Sequence, residues 1–515
     1  MNTKITLFLM AVVLVLSSCG GGGGGGSSIT PYVKLKKCAA VPGDLSKLSK
    51  PNLTLKWSCD FFSENGYNLD IYLSNDTHLD KTDTLLIHTV STLSNDNITL
   101  KPSDHPYRML MDTYGGHYYL LFDAYIDPQK EHDVFAMSFT LRDPWTVMVY
   151  IDGDNSLTDA VESDLEEMES VGTTPNINVV VQVDTKTDTT KRYLVKQASL
   201  QLIKNLGEIN MGRASNLSAF ILWAMQDYPA DHYLVVLWDH GRGFEPMTRD
   251  ILIDANPPPV SEISVPQLAD ALDNVTVHTG KRIDIIGMDA CLMGMVEVAY
   301  AIRDYADYMV ASESTAHFYG YAYDKILTWL NANAYTATRV ELSKVIASTY
   351  VEEYPGWNFL TMSSVDLHGI QRLFDDINGL AENLIRQLNS DMYGNVEYAL
   401  TQTIFNSVQR YDDLIQGTIS TNDSYADLYD LARLIAANQY MDNQTRNCAQ
   451  LVMNDIASIV VANEHSGTPV QNSHGLSIWY PNATVYSMYS QKYSQLSFAK
   501  NGLWLDLIKR ILNVE

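Results

Sequence analysis

Hydrophobic patterning divides the chain into two textures. Up to about residue 142, apolar positions come in short alternating or aromatic-rich runs at 53–57, 67–73, 85–90, 117–125 and 134–141, separated by clusters of Asn, Asp, Gly and Ser. A period of two with turn residues between the runs predicts β-strands. From Pro144 onward the texture changes. Nearly continuous apolar runs at 146–151, 179–183, 232–238, 282–287 and 308–312 predict buried strands, and between them apolar residues recur at helical spacing. Leu157, Ala160, Val161, Leu165 and Met168 form one such stripe, with Asn155 or Ser156 placed to cap it. The stretches 264–272 and 295–305 behave in the same way. Beyond about residue 333 the pattern is largely helical (339–354, 366–389, 425–441, 443–463), with a late strand-like run at 475–480 and a closing amphipathic helix near 503–513.

Continuous apolar strands alternating with helices require a mainly parallel sheet covered on both faces. The predicted fold class is therefore α/β over residues 144–515, with a helical C-terminal extension. An immunoglobulin- or fibronectin-like β-sandwich is predicted over 31–142. Residues 1–18 read as a targeting segment: Lys4 precedes an apolar run, 5–16, too short to span a bilayer as a stable helix. The run ends in Leu16-Ser17-Ser18-Cys19, which resembles a bacterial lipobox and implies that Cys19 carries lipid. Gly20 to Gly26 with Ser27 and Ser28 then form a flexible tether with a reach of about 15 Å. The expected location is the bacterial cell envelope, lipid-anchored on the periplasmic face or the cell surface.

Composition narrows the possible partners. The 515 residues carry a net charge of −26, of which −23 falls in residues 144–515. Without a basic stripe to displace phosphate counterions, the acid excess argues against a nucleic-acid partner, whereas cationic substrates or a divalent metal are admitted. The five cysteines are too few for a disulfide framework and fit no zinc cage. Cys38 and Cys59 both fall in the sandwich, where export permits a disulfide between them. Cys448 lies in a predicted helix and is expected to be a core thiol.

Two strands end in the same way. The run 232–238 terminates in Asp239-His240-Gly241-Arg242-Gly243, and the run 282–287 in Met288-Asp289-Ala290-Cys291-Leu292-Met293-Gly294. The carboxyl ends of parallel strands share one edge, where ligands bind, so His240 and Cys291 can meet although 51 residues separate them. A thiol needs a neighbouring imidazole to supply thiolate at neutral pH. A glycine after the histidine lets the backbone approach closely and frees its N–H for an oxyanion. A histidine about 50 residues before an Ala-Cys strand end is also the arrangement of caspases.

The match extends through 145–154, 234–243, Asp284 to Glu297, Val310-Ala311-Ser312-Glu313 and 473–481. In these strings, Asp-Ala-Cys-Leu-Met-Gly above all, residues 144–515 resemble the clostripain family of cysteine peptidases, related in fold to caspases, legumains and gingipains. The resemblance implies a cysteine endopeptidase acting on peptide or protein substrates, with Cys291 as nucleophile and His240 as general acid and base. The N–H groups of Gly241 and Cys291 would hold the oxyanion, and the chemistry needs no cofactor. It also implies a preference for Arg or Lys before the scissile bond, with Asp289 and Glu313 on the substrate side. Some relatives cleave themselves between the two strands, which makes Arg249 the candidate processing site. Some need calcium, for which Asp152, Asp154, Asp250 and Asp254 are acidic groups at hand, although no loop has the ligand order of an EF-hand.

One stretch departs from the family. After Ser-Glu, relatives carry an acidic, Gly-rich segment, whereas this chain reads Ser314-Thr315-Ala316-His317-Phe318-Tyr319-Gly320-Tyr321. A wall of Phe318, Tyr319 and Tyr321 would favour apolar side chains. Two other functions compete with hydrolysis: a non-catalytic binding lipoprotein, and an acyl transferase or ligase using the same Cys and His.

Overall fold

The computed structural model describes residues 31–129, 131–244, 251–254, 261–411 and 424–514. Cys19, Arg249 and Asp250 lie outside the described residues. The first region forms two antiparallel layers. Strands Tyr32–Val41, Leu53–Phe62 and Asn95–Leu100 make one, and Thr84–Ser91, Tyr67–Ser74, Gly116–Tyr125 and the first half of His132–Gly153 make the other. Their inward positions, among them Leu55, Trp57, Leu69, Ile71, Leu120 and Phe122, fill one shared core.

The expected disulfide is not formed. Cys38 stands opposite Trp57 and Cys59 opposite Leu35, so the two thiols are diagonal rather than facing neighbours. Diagonal cross-strand positions lie about 7–8 Å apart, beyond the Cα separation that a disulfide spans. Both are free, buried thiols, and burial pushes Cys38 up to about 12 and raises Cys59.

The two regions are joined by a shared strand. His132–Gly153 pairs antiparallel with Gly116–Tyr125 as far as Leu141, then runs parallel between Ile177–Thr185 and Ala230–Trp238 from Asp143 onward. Pro144, which has no N–H to donate, sits where the neighbours change. An ion pair between Lys47 and Asp143 closes this junction at 2.6 Å, with both side chains fully buried. Lys47 also donates to the carbonyls of Thr113 and, at 2.7 Å, Pro175, and Asp143 accepts from the Gly115 N–H at 2.8 Å.

Five parallel strands form the centre of the second region, in the order Ile177–Thr185, His132–Gly153, Ala230–Trp238, Ile283–Asp289, Ala306–Ala311. Antiparallel strands extend both edges: the hairpin Asp188–Lys196 and Ser199–Gly207 on one side, Leu360–Asp366 and Val460–Ser466 on the other. Alternate strand residues serve opposite cores, as the near-continuous apolar runs require. Met148, Tyr150, Val235 and Leu237 pack with helices Ala214–Asp227 and Val265–Thr279. Val147, Val149, Leu234 and Val236 pack with helices Thr158–Val171, Tyr323–Asn333 and Arg339–Glu353. The C-terminal helices Ile370–Asn389, Leu428–Ala437, Asn443–Ile459 and Trp504–Leu512 enlarge the first of these cores. Cys448 is half-buried there and accepts from the Asn383 amide at 3.4 Å.

Removing one member of a buried ion pair strands the other charge, at a cost of about 3–5 kcal/mol. Lys47→Met should therefore lower the urea midpoint sharply. Adding Asp143→Leu to it should recover most of the loss, as read by equilibrium denaturation of the single and double variants.

Candidate active site

The parallel register fixes the meeting of the two strand ends. Trp238 and Asp289 are cross-strand partners, and the last ladder hydrogen bond runs from the Asp239 N–H to the Asp289 carbonyl at 3.3 Å. His240 and Cys291 each follow two positions beyond that pair. Beside them the backbones touch. A Cβ added at Gly241 would lie 2.3 Å from the Cys291 carbonyl oxygen and 3.0 Å from its nitrogen, so no side chain fits there. The expected group of His240, Gly241 and Cys291 is thus assembled at one sheet edge.

Each side chain is held from outside its own strand. His240 Nε2 is 2.7 Å from the Ser156 hydroxyl. The Asn155 amide donates to Asp239 Oδ1 at 2.7 Å, and the same carboxylate oxygen accepts the His240 N–H. Asn155 and Ser156 therefore serve the histidine. Asn155 Oδ1 still accepts from the Leu157 N–H at 2.9 Å, but the helix begins at Thr158 with Leu157 as its N-cap. Sequence reasoning had both residues in view only as helix caps, because the pattern carries no sign of what lies across the sheet.

Cys291 is half-buried beneath the segment that follows Glu313. Its Sγ accepts the Ala316 N–H at 3.1 Å, and the neighbouring His317 N–H is held by the Tyr350 hydroxyl at 2.7 Å. Burial raises the thiol above its ordinary value, with Asp289 and Asp239 adding to the rise, and the Ala316 N–H and Arg242 opposing it. The surroundings of the sulfur thus favour its thiol form. After it the chain turns sharply: Leu292 adopts φ +61°, a left-handed conformation that a branched side chain rarely takes. Such a residue stores on the order of 1–3 kcal/mol and persists only where its surroundings impose it. Here the Leu292 and Gly294 N–H groups are bound by the carbonyls of Ser314 (3.0 Å) and Ser312 (2.7 Å).

The two acidic residues expected on the substrate side are placed differently. Asp289 lies two residues before Cys291 but is covered. Its Oδ2 accepts from the Tyr321 N–H (2.9 Å) and the Tyr323 hydroxyl (3.0 Å), and Gly320 packs directly over the carboxylate. Burial pushes it up to about 7. Asp164, bound to the Trp238 indole, is also driven up, by burial and by Asp289. Glu313 does not line a pocket. It is 1% exposed, and its Oε2 accepts the Gly475 N–H at 2.8 Å. Glu313 lies just beyond strand Ala306–Ala311, and no local pattern signals that its side chain is buried.

The aromatic segment is split in a similar way. Tyr321 is fully buried and donates to the Val310 carbonyl at 3.1 Å, so it walls no pocket, whereas Phe318 and Tyr319 are exposed. His317 stacks on Tyr354 with ring centres 3.7 Å apart. Beside them opens a cleft of about 560 Å³ lined by Asp159, Glu162, Glu166, Glu167 and Glu353 together with Tyr319 and Tyr354. His474 is bound to Asp427 and stacked on Tyr429, a structural role. Among the described residues no group of three or more His, Cys, Asp or Glu is arranged to hold a metal ion.

A parallel sheet whose adjacent strand ends present His-Gly and Ala-Cys defines a caspase-like cysteine peptidase. The clostripain family model (peptidase C11) matches residues 149–510, and the chain belongs to that family. It is 25% identical to clostripain of Hathewaya histolytica over 404 residues, covering 67% of this chain and 76% of that protein. Its fold resembles an inactive zymogen C11 protease from Parabacteroides distasonis (22% identity, TM-score 0.53, 70% of this chain and 98% of that one). It also resembles a secreted C11 cysteine protease from Bacteroides thetaiotaomicron in complex with an irreversible peptide inhibitor (21% identity, TM-score 0.54, 70% and 99%). The protein is a clostripain-family cysteine peptidase, and the sandwich precedes the matched region.

A raised thiol reacts slowly until pH exceeds its own value, because only the thiolate is nucleophilic. Alkylation of Cys291 by iodoacetamide in the resting protein should accelerate close to tenfold per pH unit from 7 to 9 and keep rising beyond the ordinary thiol value of about 8.5. A plateau below pH 8, followed by mass spectrometry of the labelled cysteine, would contradict the raised thiol.

Proposed function

We propose that the protein is an endopeptidase working through a Cys291–His240 dyad and cutting after Arg or Lys. The observation that carries this reading is the register that sets His240 beside Cys291 with the Gly241 backbone against it. Sγ attacks the scissile carbonyl carbon as His240 takes the thiol proton, so the raised resting thiol calls for a general base at the moment of attack. The N–H groups of Gly241 and Cys291 receive the oxyanion. His240 then protonates the leaving amine, and water attacks the thioester to release the acid.

The basic preference is supported by Asp289 beside the nucleophile and by the five carboxylates of the neighbouring cleft. A nearby cation favours the charged form of a carboxylate even where, as at Asp289, the carboxylate itself is covered. Incubation of the purified protein with an unbiased peptide mixture, read by mass spectrometry, should give cuts following Arg or Lys, and none with Cys291→Ala. Cuts following aromatic residues would transfer selectivity to Phe318 and Tyr319, and equal cleavage by the variant would remove the dyad altogether.

We further propose that Cys19 is lipid-modified and holds the peptidase at the bacterial envelope, a reading supported by the lipobox-like Leu16-Ser17-Ser18-Cys19 and the glycine run after it. Cys19→Ser should abolish incorporation of labelled fatty acid and shift the protein from the membrane to the soluble fraction.

A further inference from the structure

The strained turn at Leu292 is tied on one side to the strand end 312–314, and its other side rests on a segment about 180 residues away. Between Gly475 and Trp479 the chain is extended, and its alternate N–H groups point toward the nucleophile's side of the molecule. The Gly475 N–H is accepted by Glu313 at 2.8 Å, the Ser477 N–H by the Gly294 carbonyl at 2.8 Å, and the Trp479 N–H by Glu297 Oε1 at 2.9 Å. The Ser477 hydroxyl adds a second bond to the Gly294 carbonyl at 3.2 Å. Of these acceptors, Gly294 lies within the turn, Glu297 on the first turn of helix Val296–Ile302 that follows it, and Glu313 at the end of the neighbouring strand. One extended segment thus spans the three elements that fix where Cys291 sits.

Both glutamates are buried at 0–1% exposure, a place carboxyls occupy only when something requires them. Glu297 Oε1 also accepts the Tyr493 hydroxyl from helix Ala483–Tyr493 at 2.9 Å. Glu313 faces Asp427, which is itself bound to His474, and the Tyr411 hydroxyl lies close to the same group. Burial pushes Glu297 up to about 7, and burial together with Asp427 drives Glu313 well above the ordinary carboxylate range. A left-handed leucine keeps its conformation only under constraint from all sides. The C-terminal segment supplies the side that the sheet does not.

We propose that residues 475–479 are a rear clamp on the nucleophile turn, and that Glu297 and Glu313 are positioning residues for Cys291. The proposal deepens the dyad reading and rests on it for its kinetic consequence, though not for its structural one. Glu297 is the cleaner handle, because Glu297→Gln keeps the accepting oxygen for Trp479 and Tyr493 whereas Glu297→Leu removes it.

The test compares both variants with the wild type by peptide cleavage, by Cys291 alkylation and by amide hydrogen exchange. Glu297→Leu should lower kcat at least tenfold with KM within threefold, and should speed exchange at Leu292 and Gly294 by tenfold or more. Glu297→Gln should restore both to within threefold. Unchanged exchange at these amides in a folded Glu297→Leu protein would overturn the proposal, as would a Gln variant as impaired as the Leu variant. Should the Leu variant not fold, Tyr493→Phe removes one of the two donors. It should raise exchange at Leu292 and Gly294 severalfold, and no change there would also overturn the clamp. If the wild type cleaves nothing, the dyad reading fails while exchange and alkylation still decide the clamp.

A pH series adds a readout that packing alone would not move. Glu297 is raised in the folded protein relative to an unfolded value of 4.5, so its contribution is full below pH 4.5 and is lost as pH rises toward about 7. The stability of Glu297→Gln relative to wild type should therefore grow between pH 4.5 and 7 and level off above. A constant difference across that range would remove Glu297 as a titrating member of the clamp.

Discussion

Everything at this site depends on one unfavourable backbone conformation. Leu292 is held left-handed immediately after Cys291, which turns the chain away from the sheet edge just beyond strand Ile283–Asp289. Without that turn the parallel register would still bring the strands of His240 and Cys291 together, but the chain would have no reason to leave the edge at the cysteine. Strain of this kind persists only where other interactions outweigh it, so the surrounding hydrogen bonds are part of what fixes the turn after Cys291. Some come from the adjacent strand end and others from near the C-terminus.

Buried carboxyls recur around this turn. Asp289, Asp164, Glu297 and Glu313 are all raised, and in each case burial is the largest cause. They nevertheless do different work. Asp289 is covered by Gly320 and the tyrosines and lies beside the reacting residue, whereas Glu297 and Glu313 face away and hold N–H groups of a distant segment. The acid excess of residues 144–515 is therefore not one feature. Part of it lines an open cleft, part is sunk in the core, and only the first part bears directly on which substrates approach.

How much of this was legible in the sequence follows from physical range. The parallel centre was readable because its strands are apolar on both faces, and His240, Gly241 and Cys291 were readable because strand ends in such a sheet share an edge. The antiparallel extensions were not. In the hairpin at 188–207 the outer strand Ser199–Gly207 is largely exposed, and Val460–Ser466 continues directly from a helix with no break in its pattern. Asp143 with Lys47, Ser156 with His240, and Glu313 with Gly475 are pairings across 84 to 162 residues, and no local pattern encodes them. Cys38 and Cys59 show the opposite failure: both fall in one sheet, but the register leaves them two residues out of line for a bond.

The shared strand His132–Gly153 has a directional consequence. Because the sandwich and the peptidase sheet are ladders on one continuous backbone, locked at Pro144 by a buried ion pair, there is no hinge between them. The strand acts as an axle fixed at both ends. Whatever orients the sandwich therefore also sets the direction in which the sheet edge bearing His240 and Cys291 faces.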